Sequence, residues 1–367
     1  MNVYGITGTN GKTTTTWVLA EFLKPLGRTG YITTVEVDTG ARKFSTGYTT
    51  PPNKVLMEIY AEMEANGIAN CVMEASSHAI HQNRTAGTHF SGGAFTNLSE
   101  DHLDYHKTME AYFAAKRLFF ERLAAENPGS PAVVCVDGDW GRRLADELAA
   151  LPLRLVTCGF SAPHDADFAD FVSRRSPLAG RYNVQNVLVA AALARAVGVP
   201  DEAIRAAVPT LTPRWGRLER VKTRSAAEVF VDFAHTDDAL ANVLSTVRAF
   251  TKGRVWAVFG AGGDRDRAKR PLMGAAAAKW AHRLVVTSDN PRSERPEDII
   301  SEIVAGIPAD ADADVVVEPD RRTAIHYALA HAKTDDTVVV CGKGHETTQT
   351  IGDKVLPFDD RIVCSEF

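Results

Sequence analysis

Short apolar runs alternate with stretches of helical length throughout the chain, a pattern typical of parallel sheets covered by helices. The first run is NVYGI, followed by a glycine-rich loop and the helix-forming stretch TTTTWVLAEFLKPL. Further strands are predicted at NCVMEAS, SGGAFTNL and AVVCVDGD, and further helices at TMEAYFAAKRLFFERLAA and NVQNVLVAAALARAVG. We therefore expect the first half to be an α/β domain of mostly parallel strands.

A second series of strands begins after Pro213, with EVFVDFA, RVWAVFGAGG, HRLVVTSDN, ADVVVE and DTVVVCGKGH each about one helix apart. Prolines interrupt the helical pattern before this series, so we place a boundary near Thr212 to Gly216. The length of 367 residues also favours two hydrophobic cores over one. The predicted domains are residues 1–212 and a second, doubly wound α/β domain over residues 213–367.

Composition narrows the class of protein. Hydrophobic residues at 45% and charged residues at 24% are ordinary for a soluble globular chain. The net charge of -5 argues against broad non-specific nucleic-acid binding. The five cysteines are scattered and never in CxxC spacing, which favours reduced structural thiols in a cytosol. We expect a cytoplasmic protein without a membrane span; the sequence leaves its oligomeric state open.

The stretch GITGTNGKTTT resembles a phosphate-binding loop. Gly11, Lys12 and Thr13 match the end of the pattern G-x-x-x-x-G-K-[ST], while Ile6 takes the place of its first glycine. In such loops backbone N–H groups surround phosphates, the lysine adds charge and the hydroxyl can bind Mg²⁺. Because the stretch lies between a predicted buried strand and a helix, a nucleotide site is favoured over a turn that uses glycine only for its geometry.

Further motifs follow in a characteristic order, and together they closely resemble the Mur ligase family. They are TTPP, MEASSHAI, FTNLSEDHLDYH, AAKRLFF, GRYNVQN, GRLERV, VDFAHTDDAL, GAGGDRDRAKRP, SDNPR and GKGHE. The last two resemble the branch that adds a diamino acid as the third residue to UDP-MurNAc-L-Ala-D-Glu in peptidoglycan synthesis. The resemblance implies a central P-loop ATPase domain, a Rossmann-like C-terminal domain and an ADP-forming amide ligase that works through an acyl phosphate.

The resemblance also implies the contacts to ATP. Most lie in the P-loop, and others lie beyond the predicted domain boundary. The residues are Gly8, Thr9, Asn10, Gly11, Lys12, Thr13, Thr14, Asn97, Asn186, Arg217, Asp232 and His235. A nucleotide held by both domains would require closure before chemistry.

The metal ligands implied by the resemblance are Thr13, Glu74, His102 and Lys116, for two Mg²⁺ ions. Lys116 would be carbamylated by CO₂, and Lys12, Lys116 and His102 would be catalytic. The residues alone leave alternatives open: Glu74 as a helix N-cap or ion-pair partner, and Lys116 as solvated surface. His102 and His106, four residues apart, also have the spacing of a zinc pair, but no convincing third ligand accompanies them.

The substrate contacts implied by the resemblance form two sets. The carboxylate acceptor would be held by Thr49, Thr50, Ser76 and Arg84. The incoming amino acid would be held by Arg265, Asn290, Arg292, Gly342 and Glu346. A guanidinium is a bidentate partner for a carboxylate, and Glu346 would pair with the distal ammonium. Arginine after DNP resembles the family members that add meso-diaminopimelate more than those that add lysine, although ornithine or another diamino acid would fit a modified pocket. Simple turns before Pro51 and at Asn-Pro are the alternatives.

The family resemblance also implies a domain before the P-loop that holds the uridine diphosphate, whereas only four residues precede Gly5 here. Two ligase interpretations follow: a shortened cell-wall enzyme, or a ligase for a smaller acceptor such as an amino acid or short peptide. A non-catalytic ATP-binding partner protein is a third interpretation. The presence of Lys12, Glu74, His102 and Lys116 argues against that third one.

Overall fold

The residues that the computed structural model describes are 1–162, 165–212 and 216–367. They form two compact units, residues 1–211 (unit 1) and residues 212–367 (unit 2). The expected boundary includes residues 213–215, which lie outside the described residues. Each unit contains a mostly parallel sheet with helices packed on it, which confirms the α/β fold class.

Unit 1 is a sheet whose described strands lie in the order β4-β3-β2-β5-β1-β6-β7-β8. These strands are β1 Asn2–Thr7, β2 Thr29–Ile32, β3 Val37–Asp38, β4 Lys43–Phe44, β5 Asn70–Glu74, β6 Phe90–Phe95, β7 Pro131–Cys135 and β8 Arg154–Cys158. Its helices are α1 Lys12–Leu23, α2 Asn53–Ala65, α3 Ser77–His81, α4 Leu103–His106, α5 Met109–Glu126, α6 Asp139–Leu148, α7 Ala166–Arg175, α8 Arg181–Ala196 and α9 Asp201–Ala207. The strands from β2 to β8 in this order pair in parallel. Strands β3 and β4 add an antiparallel edge next to β2.

The sheet of unit 1 is covered on both faces. Helices α1 and α8 pack together on one face, and a core that includes side chains of α2, α5 and α6 lies on the other. Every residue of β5 and β7 is buried, as expected for parallel strands between two helical layers. Helix α1 ends at Leu23, three residues earlier than predicted, and continues as a 3₁₀ turn because Pro25 has no N–H to extend the helix.

Unit 2 has described strands in the order β13-β12-β11-β14-β10-β9. They are β9 Glu219–Val221, β10 Glu228–Asp232, β11 Val255–Phe259, β12 Arg283–Val286, β13 Asp314–Val317 and β14 Thr337–Cys341. A separate antiparallel hairpin consists of β15 Thr348–Ile351 and β16 Lys354–Pro357. The helices are α10 Asp237–Phe250, α11 Lys269–Trp280, α12 Pro296–Ala305, α13 Arg321–His331 and α14 Asp360–Glu366. All sheet pairings are parallel except that of β9 with β10.

Helices cover both faces of the sheet of unit 2. Side chains of α13 and α14 form one core with alternating residues of β10 and β14, and helices α10, α11 and α12 pack together elsewhere on the sheet. All five residues of β14 are buried. The five cysteines of the chain are free and buried in the two units.

Candidate active site

The carboxyl ends of β1, β5 and β6 meet at one edge of the sheet in unit 1. Ile6 pairs with Glu74 on one side and with Ala94 on the other, so the loop after β1 lies between the ends of its two neighbours. The backbone N–H of Thr9 donates to the carbonyl of Asn97 at 2.9 Å. The P-loop, Glu74 and Asn97 are therefore side by side, at the sheet edge where parallel α/β folds place ligands.

Glycine is required at two positions of the P-loop. Gly8 has φ 147° and Gly11 has φ 84°, values that favour glycine. A Cβ atom on Gly8 would overlap the hydroxyl of Thr96, and one on Gly11 would overlap the side-chain oxygen of Asn186. The loop therefore fits closely under Thr96 and Asn186, which places the predicted Asn186 beside it.

Other contacts fix the curvature of the P-loop. The Lys12 ammonium donates to the carbonyls of Gly8 at 3.0 Å and Thr9 at 2.7 Å, so this lysine folds back over the loop. The side chain of Asn97 accepts from the N–H of Asn10 at 2.8 Å and donates to the carbonyl of the same residue at 3.1 Å. Helix α1, with Thr14 in its first turn, starts directly from this loop. A glycine loop that leads into a helix N-terminus is suited to bind phosphate.

Glu74 is a buried carboxylate next to the P-loop, only 1% exposed. It accepts hydrogen bonds from the Thr13 hydroxyl at 2.8 Å and from the Thr34 N–H at 2.8 Å. Within the described part of the chain, no cationic side chain forms an ion pair with it, and Ser76 rather than Glu74 caps α3. Because a buried charge is costly unless it is paired, this carboxylate fits a bound divalent cation.

Lys116 on α5 is also buried, with 1% exposure. Its ammonium donates to the carbonyl of Gly8 at 2.7 Å and lies 4.3 Å from the ring centroid of Tyr112. Burial, followed by the positive charge of Lys12, lowers the pKa of Lys116 well below its usual range, against the attraction of Asp101. Lys116 is therefore not the solvated surface lysine that its sequence neighbours suggest.

His102 lies at the N-cap of α4 with φ 57°. Its Nε2 is 3.4 Å from a carboxylate oxygen of Asp101. Burial and the nearby charges of Lys12 and Lys116, outweighing Asp101, lower the pKa of His102 to about 4. The imidazole is therefore neutral near pH 7, the form in which histidine binds metals.

His106 has a packing role instead. It stacks on Tyr112 with ring centroids 5.0 Å apart, and its Nε2 is 2.9 Å from the hydroxyl of Ser77. Among the described residues, no three His, Cys, Asp or Glu side chains are arranged to hold a metal ion. The magnesium ligands that the resemblance implies would differ in kind from such a group, because they include the Thr13 hydroxyl and a carbamylated Lys116.

The four predicted acceptor contacts form one connected group beside the end of β5. The Thr50 hydroxyl is 3.2 Å from that of Ser76 and accepts from the Ser76 N–H at 3.0 Å. Arg84 donates to the carbonyl of Thr50 at 3.3 Å, and Thr34 donates to the hydroxyl of Thr49 at 3.0 Å. The group therefore adjoins the Glu74 site through Thr34, which contacts both.

Asp232 in unit 2 is a buried carboxylate at the end of β10. Its two oxygens accept from the backbone N–H groups of Leu218 at 2.6 Å and Ala234 at 2.8 Å. Burial raises the pKa of Asp232 to about 6, although the charge of Arg217 opposes the shift. The carboxylate holds together two chain segments that carry predicted nucleotide contacts.

Three polar side chains of unit 2 pack around the ring of Phe233. The Arg217 guanidinium lies 4.6 Å from its ring centroid, and the rings of His235 and His345 lie 4.6 and 4.8 Å away. The Nδ1 of His235 is 2.8 Å from the carbonyl of Phe233. The predicted nucleotide contacts of unit 2 thus form one cluster around Asp232 and Phe233.

The predicted amino-acid contacts form a second cluster in unit 2. Asn290 donates to Oε2 of Glu346 at 2.9 Å and accepts from the N–H of Thr350 at 2.9 Å. Gly342 has φ 116°, and a Cβ there would lie 2.5 Å from a carboxylate oxygen of Asp289. The loop after β14 therefore lies directly against the SDNPR segment.

Two arginines lie on the other side of this segment. Arg292 donates to the carbonyl of Gly263 at 2.7 Å, and both Arg292 and Arg265 lie close to Gly262. Burial, followed by the positive charge of Arg265, lowers the pKa of Arg292 from its usual value. Two arginines beside the same glycine are suited by residue type to bind a carboxylate ligand.

Ion pairs anchor the loop that carries Arg292. Arg270 of α11 is buried and donates to Glu294 at 2.7 and 2.8 Å and to Glu302 at 2.9 Å. Glu294 also accepts from the N–H of Asp264 at 2.6 Å. The hydrogen bond from Arg270 is the main reason that the pKa of Glu294 falls to about 2.

Comparison with known proteins identifies the family. Residues 6–194 match the Mur ligase middle domain, and residues 216–344 match the Mur ligase, glutamate ligase domain. The chain belongs to the Mur ligase family. This confirms the family resemblance of its motifs.

Two relatives of this Mur ligase are named UDP-N-acetylmuramoyl-L-alanyl-D-glutamate--2,6-diaminopimelate ligase. The protein from Synechococcus sp. (strain WH7803) is 43% identical over 384 residues, covering 98% of this chain and 76% of the relative. The protein from Solibacter usitatus (strain Ellin6076) is 41% identical over 381 residues, covering 100% of this chain and 77% of the relative.

Solved structures agree with this assignment. A ligase structure of the same name has a TM-score of 0.61 and 31% identity, covering 99% of this chain and 77% of the other. Mycobacterium tuberculosis folylpolyglutamate synthase has a TM-score of 0.69 at 18% identity, covering 93% and 88% of the two chains, which shows a shared fold. Among the described residues of this Mur ligase, no helix combines the length and apolar character needed to cross a bilayer.

Three residues that contact the predicted site were not singled out from the sequence. Thr34 holds Glu74, Tyr112 lies against Lys116, and Lys343 bonds both Asn290 and Glu346. Tyr112 could have been found from the sequence, because it lies four residues before Lys116 and residues four apart share a helix face. Lys343 lies inside the GKGHE motif, so the motif could have pointed to it. No motif around Thr34 indicated a role for that residue.

Proposed function

We propose that this chain is an ATP-dependent, ADP-forming amide ligase that couples the D-glutamyl carboxylate of UDP-MurNAc-L-Ala-D-Glu to meso-diaminopimelate. The observation that carries the proposal is the sheet edge of unit 1, where the glycine loop, Lys12 and the buried Thr13–Glu74 pair lie together. The names of the relatives support the choice of acceptor and amine.

The residues of unit 1 fit ATP and Mg²⁺. The loop from Gly8 to Thr14 and the Lys12 ammonium would receive the phosphates. The oxygens of Thr13 and Glu74 would hold a first Mg²⁺, and His102 would help to hold a second. When bound, Mg²⁺ supplies charge that offsets the repulsion between a carboxylate and a triphosphate.

Lys116 is proposed to react with CO₂. Its burial and its lowered pKa favour the neutral amine, whose nitrogen attacks the carbon of CO₂ and loses a proton to give an N-carboxylate. The product would be an anion near the positive charge of Lys12, which would stabilise it. Its oxygens would add a hard ligand of the type that Mg²⁺ prefers.

The substrates are proposed to react in two steps. A carboxylate oxygen of the acceptor attacks the γ-phosphorus of ATP, ADP leaves, and an acyl phosphate forms. The amine nitrogen of the diamino acid then attacks the acyl carbon, loses a proton and expels phosphate. The group of Thr49, Thr50, Ser76 and Arg84 would orient the acceptor, while Arg265, Arg292 and Asn290 would orient the amino acid.

Phosphate release tests the function. Reactions would contain ATP, Mg²⁺, UDP-MurNAc-L-Ala-D-Glu and one of meso-diaminopimelate, lysine or ornithine, and matched reactions would omit one component. We expect turnover only when acceptor and amine are both present, with meso-diaminopimelate the preferred amine. Activity with short peptides but not with the nucleotide-linked acceptor would show a different ligase, and failure to bind ATP would contradict any ligase function.

A further inference from the structure

A cavity of unit 2 lies at the sheet edge opposite the predicted amino-acid contacts. It has a volume of 620 Å³ and is lined by residues of α11, by the segment 281–282 and by the loop 308–312. Strand β12 pairs in parallel with both of its neighbours, so the segment before it and the SDNPR segment after it lie at opposite edges of the sheet. The volume is within the usual range for sites that bind small molecules.

The ring of His282, at the start of β12, is in contact with two donors. The buried N–H of Val255 donates to its Nδ1 at 2.8 Å. A neutral imidazole has one acceptor nitrogen, so its Nε2 carries the hydrogen atom. The guanidinium of Arg248, which has donors and no acceptor, lies 2.7 Å from Nδ1 and also contacts Nε2. The N–H at Nε2 therefore faces a second donor.

The charge state of His282 does not remove this conflict. Burial, followed by the positive charges of Arg248 and Arg254, lowers the pKa of His282. A protonated ring would also leave the buried N–H of Val255 without its acceptor. A carboxylate next to Arg248 and Nε2 would accept hydrogen bonds from both and so resolve the conflict.

The positive groups of the cavity have no anionic partner. Among the described residues, no carboxylate lies within ion-pair distance of Arg248, whose side-chain contacts are with His282. The same holds for Lys279 of α11, whose ammonium lies 5.5 Å from the centroid of the Trp280 ring. A carboxylate ligand would meet two cations and one ring N–H here.

The acidic loop 308–312 supplies the opposite charge. Asp310 and Asp312 line the same cavity, and within the described ranges neither carboxylate forms an ion pair. Asp312 is close enough to His282 for its charge to oppose the fall in the pKa of that ring. The positive and negative groups therefore share one cavity without neutralising each other through direct contact.

Apolar surface completes the lining. Ala275 and Ala278, three residues apart on α11, lie on one face of the helix, and Trp280 follows them. The alanines are small enough to leave room for an alkyl group, and the indole ring offers a broad apolar surface for it.

We propose that this cavity binds a free amino acid with an apolar side chain. Its carboxylate is held by Arg248 and Nε2 of His282, and its ammonium is held by Asp310 and Asp312. The alkyl group packs on the alanines of α11 and on the indole ring. The site belongs to unit 2 alone, so it does not depend on the proposed ligase function.

Binding of L-leucine to the full chain tests the site. Two analogues each lack one charge: L-leucinamide has no carboxylate, and 4-methylpentanoate has no ammonium. The readout is the NMR signal of the Trp280 indole N–H, assigned with Trp280→Phe. We expect leucine to shift this signal to saturation and to bind at least about tenfold more tightly than either analogue, because each analogue loses charge-assisted contacts.

Charge variants assign the individual contacts. Arg248→Gln should weaken leucine and 4-methylpentanoate about tenfold and leave leucinamide unchanged. The double variant with Asp310→Asn and Asp312→Asn should weaken leucine and leucinamide and leave 4-methylpentanoate unchanged. Arg295→Gln is the matched control, since Arg295 is an exposed arginine of the same unit outside the cavity.

Three results would overturn the proposal. The first is a Trp280 signal that leucine leaves unmoved up to its solubility limit. The second is equal binding of leucine and both analogues, which would show an apolar groove without charge recognition. The third is a shift abolished by Arg292→Gln but not by Arg248→Gln, which would place leucine at the predicted amino-acid contacts. Leucine binding by a chain that releases no phosphate would support the site and count only against the proposed reaction.

Discussion

Lys116 in unit 1 and Lys343 in unit 2 are equally buried but have different partners. Lys343 lies 2.8 Å from a carboxylate oxygen of Glu346. Lys116 lies 2.7 Å from the carbonyl of Gly8 and 4.3 Å from the centroid of the Tyr112 ring, and no carboxylate of the described residues is within ion-pair distance of it. Because an unpaired buried charge is expensive, the surroundings of Lys116 favour loss of its proton.

The difference separates two uses of the same side chain. Burial and the charge of Lys12 lower the pKa of Lys116, so its nitrogen is suited to react as an amine. Lys343 instead donates to Glu346 and Asn290 and fixes the positions of both side chains. The partner of a buried lysine, more than its burial, therefore indicates its role.

The largest effect is expected from Lys116→Ala. We predict a loss of phosphate-release activity of about 10²- to 10³-fold, because a group that positions transition-state charge is removed. Small carboxylic acids such as acetate should restore part of the activity by supplying the missing anion. Lys54→Ala is the matched control, since Lys54 is an exposed lysine on α2. Normal turnover by Lys116→Ala would contradict the reactive role of this lysine.

The substitutions of the two buried lysines by methionine should change the free energy of unfolding by different amounts, an effect of intermediate size. Lys343→Met leaves Glu346 and Asn290 without their buried donor and should cost about 1–3 kcal/mol of unfolding free energy. Lys116→Met loses one hydrogen bond but also removes a buried polar amine that has no carboxylate partner, so its change should lie within about 1 kcal/mol of zero. Hydrogen exchange in β14 and α5 measures each unit separately. Equal destabilisation of the two units would contradict the predicted difference between the two lysine substitutions.

The smallest effect concerns Glu294, the carboxylate that anchors the arginine loop of unit 2. Arg270 lowers its pKa from 4.5 to about 2, so between these pH values the folded chain binds fewer protons than the unfolded chain. Its stabilising contribution is present above pH 4.5 and is lost as the pH falls towards 2. Exposure limits the contribution to less than about 1 kcal/mol.

Glu294→Gln measures this contribution. Urea unfolding of the variant and of the unmodified chain between pH 5 and pH 3 should show the difference between them shrinking as the pH falls. The neighbours Arg267 and Glu302 are present in both chains, so their own titration largely cancels. A difference that grows with acidity would show that the ion pair with Arg270 does not stabilise the loop.

The parts of the fold that could be predicted were those with strong local patterns. The buried strands around the P-loop and the long helix α5 follow from apolar runs and helical spacing, and Glu74 was placed correctly because β5 ends there. The short strands β3 and β4 and the exposed hairpin of β15 and β16 lack such a pattern, since few of their side chains are buried.

Contacts between distant segments could not be predicted. Thr34 reaches Glu74 across 40 positions of sequence, and Lys343 meets Asn290 across 53. A lysine is normally exposed, so burial of Lys116 and Lys343 depends on tertiary neighbours that local sequence does not encode. The family resemblance supplied roles for Lys116 and His102 that composition and spacing did not.

The central claim is that the acceptor carboxylate is phosphorylated by ATP before the amine attacks it. The direct measurement uses UDP-MurNAc-L-Ala-D-Glu with ¹⁸O in the D-glutamyl carboxylate and follows the label by mass spectrometry of the released phosphate. The mechanism predicts one ¹⁸O atom in each phosphate molecule for each amide bond formed, because the oxygen that attacks phosphorus leaves with it. Amide formation that yields unlabelled phosphate would contradict the acyl phosphate mechanism.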